Sequence, residues 1–271
     1  MGIYIILATF LFHGFLLKPP YQKIHYKLSL IILFAFTAFR NIDLGGFDTV
    51  NYQNFFYFEV PSISHFFNYT GRFGYGYALF NSVIRSISGD YRVYQVAYSF
   101  LAIILLNIVI KKLELKYNER SLFLFVYFCY RFLWNNFVLL RQNIAALIFW
   151  IAILTVLDKP LKYNARIAIT WFWHETSIVN ALIYPVLQFF RRFSRKKMLI
   201  VTTVLSVFAF LFSQTILNNL FGIFFALTGA RFQRYATLLI SDEGINLVNY
   251  LLRWLFLALF YLKYDKIELN I

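Results

Sequence analysis

Residues 93–110 read VYQVAYSFLAIILLNIVI, carry no charge, and run straight into Lys111-Lys112. About 20 apolar residues are what a helix needs to cross the hydrocarbon of a bilayer. The apolar positions are continuous rather than alternating, which argues for a helix over a barrel strand. Outward from this stretch, similar runs recur at roughly 2–17, 28–39, 73–88, 121–135, 142–157, 165–190, 198–217 and 245–262. The 271 residues are 61% hydrophobic and 14% charged, with 34 Phe, 20 Tyr and 5 Trp. Soluble domains are about 45–50% apolar and about 25% charged. One soluble core of this size cannot hide so much apolar surface. A soluble enzyme, a disordered chain and a disulfide scaffold are excluded. The expected fold class is all-α: a polytopic helical membrane protein of about 8–10 transmembrane segments, some broken or re-entrant. It is expected as one integral membrane domain over 1–271. The N-terminus lacks a basic stretch and a clear cleavage site, so it reads as a retained first span. The single cysteine, Cys129, lies inside an apolar run and reads as inert packing.

The formal net charge of +14 would suggest nucleic acid in a soluble protein. Here the charges fall between apolar runs, so topology explains them and no nucleic-acid partner is expected. All 12 lysines lie in five stretches: Lys18 to Lys27, Lys111 to Arg120, Lys159 to Arg166, Arg191 to Lys197, and Lys263 to the end. The positive-inside rule assigns these to the cytoplasm. An even number of crossings must then separate Lys27 from Lys111. Segments 28–39 and 93–110 supply them, leaving 73–88 re-entrant or interfacial. The 165–190 run, basic at both ends, is expected to break near His174-Glu175-Thr176. The outer face then gathers 40–92, the 136–142 turn, the His174 turn and a last loop at 218–244. Its basic residues, with those in nearby spans, are nine arginines and no lysine: Arg40, Arg72, Arg85, Arg92, Arg131, Arg141, Arg231, Arg234 and Arg253. Guanidinium forks bind phosphate oxygens bidentately and keep their charge when partly desolvated. Pairing with lipid headgroups or carboxylates is the plainer reading of each one.

Four constellations carry chemistry. In Phe39-Arg40-Asn41-Ile42-Asp43-Leu44-Gly45-Gly46-Phe47-Asp48-Thr49-Val50-Asn51-Tyr52, the glycines permit a tight turn. Asp48 there is a base or a holder of a sugar hydroxyl. Alternatively, Asp48-Thr49 caps a helix beginning near Asn51. Leu140-Arg141-Gln142-Asn143 opens a span. A cation at a helix N-terminus opposes the macrodipole, which points to an anion bound there; an interfacial anchor is the alternative. Trp173-His174-Glu175-Thr176-Ser177 places an ionisable pair in an apolar run. It is either a base with its partner or a structural pair. It is not a zinc-protease motif, since position 178 is Ile. Arg231-Phe232-Gln233-Arg234-Tyr235 puts two arginines on one helix face. Walker, dinucleotide and metal-ligand patterns are not found, so no cofactor and no metal is expected.

These segments, in this order, resemble the EpsG family of exopolysaccharide proteins, a branch of Wzy-like O-antigen and capsule polymerases. The resemblance rests on Arg40 with Gly46-Phe47-Asp48-Thr49-Val50-Asn51-Tyr52, Arg141-Gln142, His174 followed by Thr176-Ser177, and Arg234-Tyr235. It runs from about residue 36 to 236. The family often has an acidic residue in the third segment, where Gly71-Arg72-Phe73-Gly74-Tyr75 carries none. The resemblance implies a bacterial inner-membrane, multi-pass glycosyltransferase with its active site facing the periplasm or exterior. It would polymerise undecaprenyl-diphosphate-linked oligosaccharide repeat units, with a flippase and a chain-length regulator as further partners. His174, Asp48 and Arg141 are then the expected catalytic residues. Arg40, Arg72, Gln142, Glu175, Arg231, Arg234 and Tyr235 are the expected substrate-binding ones. A transporter of lipid-linked glycans and a membrane acyltransferase are the alternatives.

Overall fold

The computed structural model describes residues 2–41, 46–154, 160–190, 197, 200–201, 203–204 and 206–208. The chain divides into two compact units, Met1–Leu187 and Gln188–Ile271. In the second unit the described residues are helical. The expected segment 198–217 lies largely, and 245–262 and the loop 218–244 wholly, outside the described residues.

The first unit is built from helices. They are α1 (Gly2–Leu16), α2 (Pro19–Ala38), α3 (Gly46–Asn54), α4 (Tyr75–Ile87), α5 (Tyr91–Lys112), α6 (Tyr117–Tyr127), α7 (Leu133–Phe137), α8 (Leu140–Ile153), α9 (Pro160–Trp173) and α10 (Ile183–Phe190), the last running on into the second unit. Short π-helical stretches extend α3 (Phe55–Glu59) and join α6 to α7 (Phe128–Phe132), and 3₁₀ turns occupy Ile63–Asn68 and Glu175–Leu182. No strand occurs among the described residues, so the all-helical expectation holds. Among them one helix, α5, is long and apolar enough to cross a membrane, with a mean hydropathy of 2.1; α1 and α8 are apolar but shorter.

Local chemistry sets the ends. The Asp90 carboxylate accepts the Arg92 N–H at 2.8 Å and starts α5, while Lys111 and Lys112 close it where the macrodipole favours cations. Pro19 and Pro20 start α2 well before the apolar run at 28–39, because proline suits the first helical turn. At 13 residues, α4 rises about 20 Å, short of the about 30 Å of a hydrocarbon core.

Two corrections belong here. Asp48-Thr49 does not cap a helix at Asn51, because α3 already begins at Gly46 and holds Asp48 in its first turn. Cys129 is exposed rather than packed, since the π-helical stretch turns Phe128 and Phe132 inward instead.

α2 and α5 pack antiparallel, with α6 beside α2 and α8 beside α5. At one end the Tyr26 hydroxyl donates to Asn107 Oδ1 at 2.8 Å, the Tyr117 ring lies 6.0 Å from Tyr26, and the Arg120 guanidinium sits 4.7 Å over Tyr117. At the other end Gln95 Nε2 donates to the carbonyls of Thr37 and Arg40, and Arg92 donates to Arg40 O. The lysine-bearing stretches 18–27 and 111–120 thus share one end of the bundle. Arg40 and Arg92 share the opposite one. The core between them is aromatic: Phe55, Phe56, Tyr77, Tyr91, Tyr94 and Tyr98 are all buried.

Candidate functional site

Arg141 is placed by its neighbour. Asn143 is buried and makes three side-chain contacts: Nδ2 donates to the Tyr98 hydroxyl and to Asn136 Oδ1, both at 2.9 Å, and Oδ1 accepts from Tyr127 at 3.3 Å. Buried amides are costly to leave unpaired, so this network fixes how the first turn of α8 is rotated. With Asn143 turned inward, Arg141 lies 4.3 Å over the Phe73 ring and 6.0 Å from the centre of Tyr77. Its guanidinium and its backbone N–H both reach the Tyr52 phenol. Cation–π contact and the phenol seat the guanidinium.

Asp48 and Tyr52 are four apart on α3 and share a face. The charge of Asp48 acts on Tyr52, whose phenol is pushed above its ordinary range chiefly by burial. Arg141, Tyr52 and Asp48 are therefore one cluster.

His174 reaches the same place from α9. Its N–H donates to Thr170 O at 2.7 Å and ends the helix; its backbone is extended, with φ −147° and ψ 111°. Its carbonyl accepts from both the N–H and the hydroxyl of Ser177, which opens the 3₁₀ turn. The helix thus stops where the sequence anticipates a break. Burial, and then the Arg141 charge, lower the His174 pKa to about 4, so the imidazole is neutral at physiological pH. Its Nδ1 is buried without a hydrogen-bond partner among the described residues.

Two glycines bring α4 against this break. A Cβ on Gly74 would lie 2.9 Å from Trp173 O and 3.0 Å from Phe172 O; one on Gly76 would lie 2.7 Å from Phe172 Cδ1 and 3.1 Å from Phe172 O. Only the absence of side chains lets the start of α4 press on the end of α9. Beside His174 opens a cavity of about 290 Å³, lined by Gln142, Phe149, Thr176, Ser177 and Asn180.

Arg141 and His174 are therefore brought together, with Gln142 at the cavity wall, while Asp48 reaches Arg141 only through Tyr52, on whose face of α3 it lies. Arg40 is buried elsewhere in use: Nη1 donates to Phe137 O at 3.3 Å and the guanidinium lies 4.3 Å over the Phe137 ring. Thr49 donates to the same carbonyl at 3.0 Å. Arg72 pairs with Glu59 at 3.0 Å, which brings to the 71–75 turn the carboxylate that its own sequence lacks. Glu175 opens the 3₁₀ turn next to His174. Arg231, Arg234 and Tyr235 lie outside the described residues. Sequence reading alone did not single out Tyr52, Phe73, Tyr77 or the glycine pair; Tyr52 stood inside a quoted motif, but rings and glycines are too common in this chain to signal. Among the described residues no group of three His, Cys, Asp or Glu side chains is placed to hold a metal ion.

A family model described as the EpsG family matches residues 23–270 of the chain. No curated protein and no solved structure shows a significant match.

Proposed function

The chain belongs to the EpsG family, a Wzy-like polymerase family of membrane proteins, and we propose that it polymerises lipid-linked oligosaccharide repeat units. The donor is the growing glycan on undecaprenyl diphosphate; the acceptor is a hydroxyl of the next lipid-linked unit. The hydroxyl oxygen attacks the anomeric carbon. The bond from that carbon to the diphosphate oxygen breaks, and undecaprenyl diphosphate leaves with the electron pair. The hydroxyl proton passes to His174 or Asp48 and then to solvent.

The observation that carries this reading is that Arg141 meets His174 and also the Tyr52 phenol, on the face of α3 that Asp48 shares, so three separate stretches of sequence contribute. Negative charge grows on the leaving diphosphate, and a desolvated guanidinium beside it lowers the barrier. A neutral imidazole can accept a proton, and the arriving diphosphate offsets the repulsion from Arg141 that otherwise opposes protonation. The donor is already activated, so the chemistry needs no nucleotide. Separation of the lysine-rich and arginine-bearing ends of the bundle supports a site facing the periplasm or exterior of a bacterial inner membrane. O-antigen, capsule and exopolysaccharide are the candidate products. Arg231, Arg234 and Tyr235 are proposed as further contacts to the diphosphate, and a flippase and chain-length regulator as partners.

The test is purified protein with lipid-linked repeat units in detergent. Wild type is expected to give a ladder of products; Arg141→Ala and His174→Ala are expected to leave single-repeat product only. Normal polymer length in both variants would defeat the assignment. The helix break at His174 also suits a transporter of lipid-linked glycans. Polymer formed in detergent, where there are no two compartments, favours the enzyme.

A further inference from the structure

A second cavity, of about 480 Å³, lies between α4 and the segment that precedes it. Its wall carries four serines, Ser62, Ser64, Ser82 and Ser86, with Arg85 among them. Ser82 is buried and its single hydroxyl hydrogen is shared between the carbonyls of Pro61 and Ala78, both at 2.9 Å, which ties the two walls together. On the opposite wall the Ser62 and Ser64 hydroxyls are hydrogen-bonded to His65 Nδ1, at 2.8 and 3.2 Å, and to each other at 3.0 Å. The Arg85 guanidinium makes one long bond, from Nη1 to Val60 O at 3.3 Å, and pairs with no carboxylate among the described residues. Arg85 is exposed, and a guanidinium has five donors in a planar fork, so donors beyond the one to Val60 O are available to a ligand at this wall.

The position matters as much as the lining. Gly74 and Gly76, at the start of α4, touch the backbone immediately before His174. Arg85 is ten residues along the same helix from Tyr75, a rise of about 15 Å. The two ends of α4 are thus separated by the span of a short oligosaccharide. Hydroxyl-rich walls match the hydroxyls of a sugar, and a guanidinium without a protein anion matches a carboxylate or phosphate borne on one.

We propose that this cavity is a distal glycan subsite that recognises an acidic sugar, while the reducing end of the same chain lies at Arg141 and His174. The choice of a glycan rests on the polymerase reading; the anionic chemistry rests on Arg85 alone. Arg85 supplies the bidentate contact to the acid, and the serines contact ring hydroxyls.

The probe is a panel of labelled trisaccharides, each in a uronic-acid form and in the neutral form made by reducing that carboxyl. Binding is measured to the full chain in phosphatidylcholine nanodiscs. At least one pair is expected to bind about tenfold more tightly in its acidic form, as a charge-assisted bidentate contact provides. Arg85→Gln is expected to bring that preference within about twofold, while Arg85→Lys keeps part of it because the charge stays. No preference in any pair, or a preference that survives Arg85→Gln, overturns the proposal. So does loss of the preference when phosphatidylglycerol is added, because the cavity would then hold a lipid headgroup. Polymer without acid preference would sink this subsite alone; acid preference without polymer would sink the polymerase reading alone.

Discussion

Burial chiefly, and the nearby Arg141 charge after it, lower the proton affinity of His174, and this has a readable consequence. With the His174 pKa at about 4 against the usual value of about 6.5, the neutral imidazole persists through mildly acidic conditions. The acidic limb of kcat/KM, which reports the free enzyme, is expected near pH 4 rather than near 6.5. In Arg141→Gln the His174 pKa, read directly by imidazole NMR since turnover is lost, should move upward, because one of the two causes of the depression is gone. An imidazole titration that does not shift in the variant would show that the Arg141 charge does not act on His174. The same shift affects stability. Between pH 4 and 6.5 the unfolded chain binds the proton and the folded one does not, so stability rises with pH across that window and is fully present above it. Unfolding midpoints from pH 4 to 7 are expected to rise less in His174→Gln than in wild type.

At the scale of elements, the site depends on α4 meeting α9 and on α8 being held at one rotation. Gly74→Ala forces a Cβ against two backbone carbonyls that cannot swing aside, an overpacking cost of about 1–3 kcal/mol. It is expected to lower both the thermal midpoint and the turnover per folded molecule. Gly14→Ala is the control. Its Cβ would meet His25 and Ser121 side chains, in the contact of α1 with α2 and α6, so stability should fall while turnover per folded molecule holds. Asn143→Leu removes the buried amide that joins Tyr98, Asn136 and Tyr127. Stranding those partners should cost about 1–3 kcal/mol. It should also free Arg141 from its aromatic seat, seen as a fall in polymer yield beyond the loss of folded protein.

For the whole molecule the expectation concerns sidedness. Cys129 is the only cysteine of the chain and is exposed, so Cys129→Ser should be tolerated and leave a clean background. Single cysteines in that background at Gln142 and Thr176 should react with a membrane-impermeant maleimide added outside intact cells. Cysteines at Lys23 and Lys116 should react only after the membrane is opened. The reverse pattern would place the arginine-bearing end in the cytoplasm and remove the proposed reaction.

Composition alone determined the all-helical class, since so much continuous apolar sequence has no other way to satisfy its backbone in a low-dielectric surround. Spacing located the break at His174, because charge at both ends of an apolar run and polar residues in its middle leave a single helix unfavourable. Local sequence also marked Asp48, Arg141 and His174, each a charged or titratable group among apolar neighbours. What it could not weigh was partnership. Arg40, Arg72 and Arg141 look alike as isolated guanidiniums, yet folding spends the first on the Phe137 carbonyl, the second on Glu59, and lays the third across Phe73 beside His174. Those pairings join residues up to 97 positions apart (Arg40 to Phe137), and a one-dimensional pattern holds no record of contacts at that range. Steric fit decided the rest: two glycines on α4 and one amide on α8 settle where the chemistry is held, through close packing that only the assembled helices create.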